Sequence, residues 1–151
     1  MPTELVLNDV YIQVYCSIVI THNFMNTTKI TSILSIKPTS ATNHGDQLLR
    51  HSKSIDQSNL LNVVTIAPHS TWWYSTKDLL DSLLLSRHIE LVLTTFTDKK
   101  NPLKRLREKG CNSKLLCFIG SKYFNPSAYF DVKLLHNIVE LGLDLDIDVY
   151  F

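Results

Sequence analysis

Glycine is scarce in this chain: four among 151 residues, alongside five prolines. That excludes collagen-like or linker material and leaves little from which to build a phosphate-cradling loop. There is no Walker loop, no dinucleotide glycine pattern and no G-x-S-x-G elbow. Charge is sparse too. Charged residues are 19%, and 15 Lys+Arg against 14 Asp+Glu leave a net +1. A polyelectrolyte tail and a histone-like nucleic-acid coat are excluded, and no nucleic-acid partner is expected. No apolar run approaches the roughly 20 residues of a membrane helix, so no membrane partner is expected either. The opening segment has no basic region followed by an apolar stretch and does not read as a secretory signal. Cysteine is limited to Cys16, Cys111 and Cys117. The odd count leaves at least one thiol unpaired and points to a reducing compartment, with cytoplasm as the expected location. No Cys-x-x-Cys and no close histidine pair occurs among His22, His44, His51, His69, His88 and His136, so neither a metal nor a cofactor is expected.

What is present is a 44% hydrophobic content. A chain of this length buries roughly 68–70% of its unfolded surface, enough for one core. The expectation is a single domain over residues 1–151. Residues 10–20 alternate, with Tyr11, Gln13, Tyr15 and Ser17 against Ile12, Val14, Cys16 and Ile18, which describes a strand with one apolar and one mixed face. Ile30, Ile33 and Leu34 fit a short helix capped by Asn26 and ended by Pro38. Residues 39–59 are polar and lack periodicity, which predicts a mobile or partner-contacting loop holding the turn signal His44-Gly45-Asp46. Strands are expected at 60–67 and 71–74. Ser75-Thr76-Lys77-Asp78 resembles a capping box and predicts a helix through Leu79, Leu80, Leu83 and Leu84, running on toward Phe96. Asn101-Pro102 starts another helix, closed by Gly110. Residues 114–119 form a strand. Ser127 caps a last helix whose apolar stripe is Val132, Leu135, Ile138, Val139 and Leu141. Residues 143–151 are the final strand. This order predicts an α+β fold, a mainly antiparallel sheet of about five strands with helices packed on one face.

The final strand carries the sharpest constellation. Asp144, Asp146 and Asp148 alternate with Leu143, Leu145, Ile147 and Val149. Alternate residues of a strand share a face, so the three carboxylates stand in a row about 6–7 Å apart. Such a row is either a solvated face, a divalent-cation site, a source of one raised-pKa acid, or a contact for a basic partner. Leu145 and Ile147 are expected in the core. Lys99, Lys100, Lys104, Arg105, Arg107 and Lys109 read as a solvated helix face rather than a phosphate grip, because no aromatic residue is interleaved. In Trp72-Trp73 successive side chains take opposite faces. One tryptophan is therefore core and the other at least half exposed, as an interface anchor or under the 39–59 loop.

Several of these features together resemble the DUF4279 family. They are the opening strand, Lys37-Pro38-Thr39 after the first helix, Gly45-Asp46, the tryptophan-bearing strand and the leucine-rich helix. The most specific is the ending Leu141-Gly142-Leu143-Asp144-Leu145-Asp146-Ile147-Asp148-Val149-Tyr150. The resemblance implies a small bacterial α+β binding module without enzymatic activity, and as the best concrete function an immunity protein of a polymorphic toxin system. Its partner would be a cognate toxin domain, a nuclease or an NAD-consuming toxin. The expected contact residues are Asp144, Asp146, Asp148, Trp72, Trp73, His44 and Asp46. Two alternatives stand beside it. One is a metal-assisted hydrolase built on the aspartate row with a loop histidine such as His44. The other is a small-ligand or peptide sensor using the face under the 39–59 loop.

Overall fold

The computed structural model describes residues 12–53, 60–121 and 128–150. Among these residues, seven strands and four helices follow in the order β1 (Ile12–His22), α1 (Thr27–Leu34), β2 (Ser40–Thr42), β3 (Gln47–Lys53), β4 (Leu60–Ile66), β5 (Ser70–Ser75), α2 (Leu85–Thr95), α3 (Lys100–Glu108), β6 (Asn112–Ser121), α4 (Val132–Glu140) and β7 (Asp144–Tyr150). The main sheet has five strands in the order β2-β5-β1-β6-β7, and β3 and β4 pair separately as a hairpin. Every pairing is antiparallel except β6–β7. That parallel pair needs a crossover, and α4 supplies it. The fold is α+β, as the sequence predicts.

The alternation in β1 decides where the core lies. Cys16, Ile18 and Ile20 point to one face and meet Leu115 and Cys117 of β6 and Trp72 of β5. All four helices send their buried apolar side chains into this same cluster: Ile30 and Leu34, Ile89 and Val92, Leu103 and Leu106, and Ile138. The largest buried side chain, Trp72, packs edge-on to Phe96 at 6.3 Å and donates its indole N–H to Thr31 Oγ1 at 3.0 Å.

Helix ends follow local chemistry. Asn26 Oδ1 accepts from the Thr28 amide at 2.9 Å, capping α1. The helix stops not at Pro38 but at Ser35, which turns left-handed at φ 54°. Asp131 Oδ1 caps α4 by accepting from the Leu134 amide at 2.7 Å. The expected cap, Ser127, lies outside the described residues. Gly110 follows α3 with φ 88°, in the role expected of it.

Three expectations are overturned. The polar stretch 39–59 contains β2 and β3. Of the hairpin side chains that are described, Leu49, Val64 and Ile66 are exposed, so apolar residues there do not mark a buried face. The leucine-rich helix begins only at Leu85. The Ser75–Asp78 box forms a single turn instead, because the Thr76 hydroxyl is drawn inward. It accepts from the Cys16 amide at 3.0 Å and lies 2.6 Å from His88 Nδ1. His88 is fully buried, and its Nε2 donates to the Ser82 carbonyl at 2.8 Å, pinning the 76–84 segment to α2. Leu79, Leu83 and Leu84 remain exposed. Lastly, α4 turns Ile138 inward beside Leu134 and Leu141, while Val132 (83%) and Val139 (70%) face outward.

Candidate functional site

The turn from α4 into β7 is built by two residues. Gly142 has φ 66°, a conformation that strains any residue with a Cβ. Arg107 of α3 lies directly over it, and its Nη1 donates to the Leu141 and Gly142 carbonyls, both at 3.0 Å. A helix C-terminus leaves carbonyls unpaired, and the guanidinium satisfies two acceptors there while complementing the helix dipole. One member of the basic cluster thus closes α4. Another, Lys100, holds Glu140 at 2.6 Å, and that hydrogen bond keeps the Glu140 carboxyl below its ordinary range. Buried Leu141 and Leu143 then fix the start of β7 against the core.

From there β7 runs parallel to β6 in the register Lys114↔Asp144, Leu116↔Asp146 and Phe118↔Asp148. The three aspartates do share one face of an edge strand, on the side of the sheet opposite the helix-packed core. Asp146 Oδ2 meets Lys114 Nζ at 2.6 Å. Among the described residues Asp144 and Asp148 have no ion-pair partner, and both are exposed. Next to Asp148 the same face carries a ladder of rings: Tyr15 stacks on Phe118 at 4.7 Å, and Phe118 on Tyr150 at 5.3 Å. Lys77 Nζ sits 5.8 Å from the Tyr15 centroid. The ladder was only half legible: strand parity put Tyr15 on the mixed face, but nothing in the sequence said that Phe118 and Tyr150 would align beside it.

The opposite side of β7 corrects an expectation. Leu145, Ile147 and Val149 are 38%, 41% and 40% exposed, half-covered rather than core. The strand lies at the sheet's edge, beyond the reach of full helix cover.

The other expected contact residues lie elsewhere. Trp72 is fully buried and offers no contact surface. Trp73 is part-buried on the mixed face, less open than the half exposure expected of it, because Val19 and β2 flank it. His44 and Asp46 sit in the turn after β2. The His44 ring packs edge-on to Phe24 at 5.1 Å. Asp46 Oδ2 accepts from the Asn43 amide at 2.7 Å, bracing the turn. That turn and β7 occupy opposite edges of the sheet, four strand spacings or about 19 Å apart. No hydrolase centre combining His44 with the aspartate row can form across that distance. Among the described residues no group of three or more His, Cys, Asp or Glu is placed to hold a metal ion.

The cysteines are free and buried. Cys16 and Cys117 face each other across β1 and β6 on the core side. Burial raises the Cys117 thiol to about 12, with Asp146 adding to the effect. Burial also raises Cys16, with Cys117 reinforcing it and the Thr76 hydrogen bond opposing it. Thiols held protonated are poor nucleophiles. A cleft of about 660 Å³ opens between α2 and α4, with Leu93 and Leu134 on its wall and Glu90, Lys100, Asn137 and Glu140 around it. Its walls come from helices that meet only in the fold, and periodicity gave no sign of it.

Among the described residues no helix is long and apolar enough to cross a membrane. No curated protein and no solved structure matches the chain. Residues 12–151, all but the first eleven, match the model of a domain of unknown function, DUF4279. The Leu-Gly-Leu turn into β7 and its aspartate row, residues 141–150, are the most specific part of the sequence resemblance, and the chain belongs to the DUF4279 family.

Proposed function

We propose that this chain is a non-enzymatic protein-binding module that neutralises a bacterial toxin domain in the cytoplasm, as an immunity protein. One observation carries the binding part: the exposed edge strand β7 holds two aspartates, Asp144 and Asp148, without ion partners among the described residues. A net charge of +1 makes this a local acidic patch on a nearly neutral molecule. Such a patch steers a basic partner to one place rather than attracting cations everywhere. A nuclease or NAD-consuming toxin, whose substrate groove must attract phosphates, has the complementary charge. The toxin part rests on the family resemblance.

Co-expression with the toxin domain encoded beside its gene is the test. Growth is expected to recover, and the two chains to co-purify. Growth arrest that persists at full expression of the folded chain overturns the proposal.

A further inference from the structure

The two edges of the main sheet are not alike. The β2 edge is three residues long and offers few unpaired backbone groups. β7 is seven residues long and pairs with β6. Among the described residues nothing pairs with its outer side. Natural edge strands of that length are usually blunted by charge, proline or a covering element. Here charge is present on one row, Asp144, Asp146 and Asp148, while the other row, Leu145, Ile147 and Val149, leaves about two-fifths of its aliphatic surface in water. A strand shaped only to repel neighbours gains nothing from that second row.

We propose that β7 is a docking edge to which another protein adds an extended segment as a sixth strand. That segment carries Lys or Arg at positions i and i+4 on one face and aliphatic residues at i+1 and i+3 on the other. The inference rests on the protein-binding reading above and names the chemistry of the partner's contact segment.

Charge selects the occupant. A second copy of this chain pairing through β7 sets aspartates opposite aspartates, and facing like charges destabilise a strand pair. Lys114 already neutralises Asp146. The two aspartates left over, Asp144 and Asp148, stand four residues apart on one face, about 13 Å along the strand. Cations at i and i+4 of an added strand meet them directly. At the intervening positions, aliphatic side chains cover Leu145, Ile147 and Val149. Main-chain hydrogen bonds supply the attraction common to all strand addition, and the side-chain rows supply the selectivity. The Phe118–Tyr150 stack beside Asp148 gives the stem of a long cation a flat surface to lie on.

The probe is the peptide acetyl-Lys-Val-Thr-Val-Lys-Val-Thr-amide, titrated into the isotopically labelled full chain to roughly millimolar concentration. The expected result is saturable shift changes confined to residues 144–150 and their β6 partners, with slowed amide exchange along β7. The double variant Asp144→Asn/Asp148→Asn keeps its melting temperature and loses about tenfold in affinity. Peptides with Glu for both Lys, or with alternate backbone nitrogens methylated, do not bind. Shifts centred in the α2–α4 cleft, affinity indifferent to the double variant, or no saturable binding overturns strand addition. The same variant in the toxin co-expression assay separates the two claims. Full rescue by a variant that no longer binds the peptide removes strand addition and leaves the neutralising function standing. Peptide binding as expected, with no rescue by the unaltered chain, does the reverse.

Discussion

Gly142 and Arg107 occupy the same few ångströms, and each explains the other. A Cβ at Gly142 would fall on the Arg107 guanidinium, at a φ of 66° that already disfavours any side chain. Gly142→Ala is therefore expected to lose about 1–3 kcal/mol in urea unfolding. Arg107→Ala should lose less in isolation, and in that background the Gly142→Ala penalty should shrink, because only the backbone strain remains. Thr76 is a second point where one side chain serves several partners. Thr76→Val keeps the shape but leaves the Cys16 amide and His88 Nδ1 without it, at about 1–3 kcal/mol for each buried group. Loss of exchange protection at the Cys16 amide is the local readout. The thiols add a pH dependence of defined sign. Cys117 is raised in the folded state from an ordinary 9.0 to about 12. Its contribution to stability is full below pH 9 and is lost as pH climbs toward 12. Unfolding free energy should fall along that alkaline limb, and a Cys117→Ala variant should show a shallower fall.

At the scale of elements, β7 and α4 show what periodicity reads and what it misses. Alternation correctly puts the three aspartates on one face and the aliphatic residues on the other. It says nothing of how much lies over either face. Because Leu145 and Ile147 are about two-fifths exposed, truncating either to Ala should cost about 1 kcal/mol. Trp72→Ala, in the fully buried cluster, should cost about 3–5. Thermal or urea unfolding of the three variants ranks them, and equal losses would contradict the burial pattern. In α4 two apolar stripes run side by side. Ile138, with Leu134 and Leu141, faces the core, whereas Val132 and Val139 face water, and a hydrophobic count cannot choose between them. The 76–84 segment fails as a helix for a related reason. Its leucines suit one, but a threonine captured by a buried histidine stops the chain from continuing the turn, and that histidine lies twelve residues ahead.

For the whole molecule, sheet order decides what the candidate site can be. The aspartate row and the His44–Asp46 turn are both polar and both plausible from their residue types. They sit on opposite edges, so they cannot act on one ligand atom. What remains on the β7 side is an acidic patch next to an aromatic ladder, on a chain whose cations and anions nearly cancel. Encounter with a basic partner should accordingly be steered over short range. Its association rate should fall as salt rises from 50 to 500 mM, while dissociation changes little, since screening acts mainly on the approach. A rate indifferent to salt in stopped-flow mixing would separate the binding surface from these carboxylates.

The amino-acid order by itself was enough for the α+β class, the split faces of β1 and β7, the caps at Asn26 and Gly110, and the family. Each of these is written in nearest neighbours and short periods, where backbone geometry alone dictates which side chains travel together. The position of β7 at the rim, the stacking of Tyr15, Phe118 and Tyr150, the pinning of Gly142 by Arg107 and the burial of Trp72 and His88 came only with the folded chain. They depend on which strand lies beside which, and that is settled by packing between segments far apart in the chain, as where Ile12 of β1 pairs with Ser121 of β6.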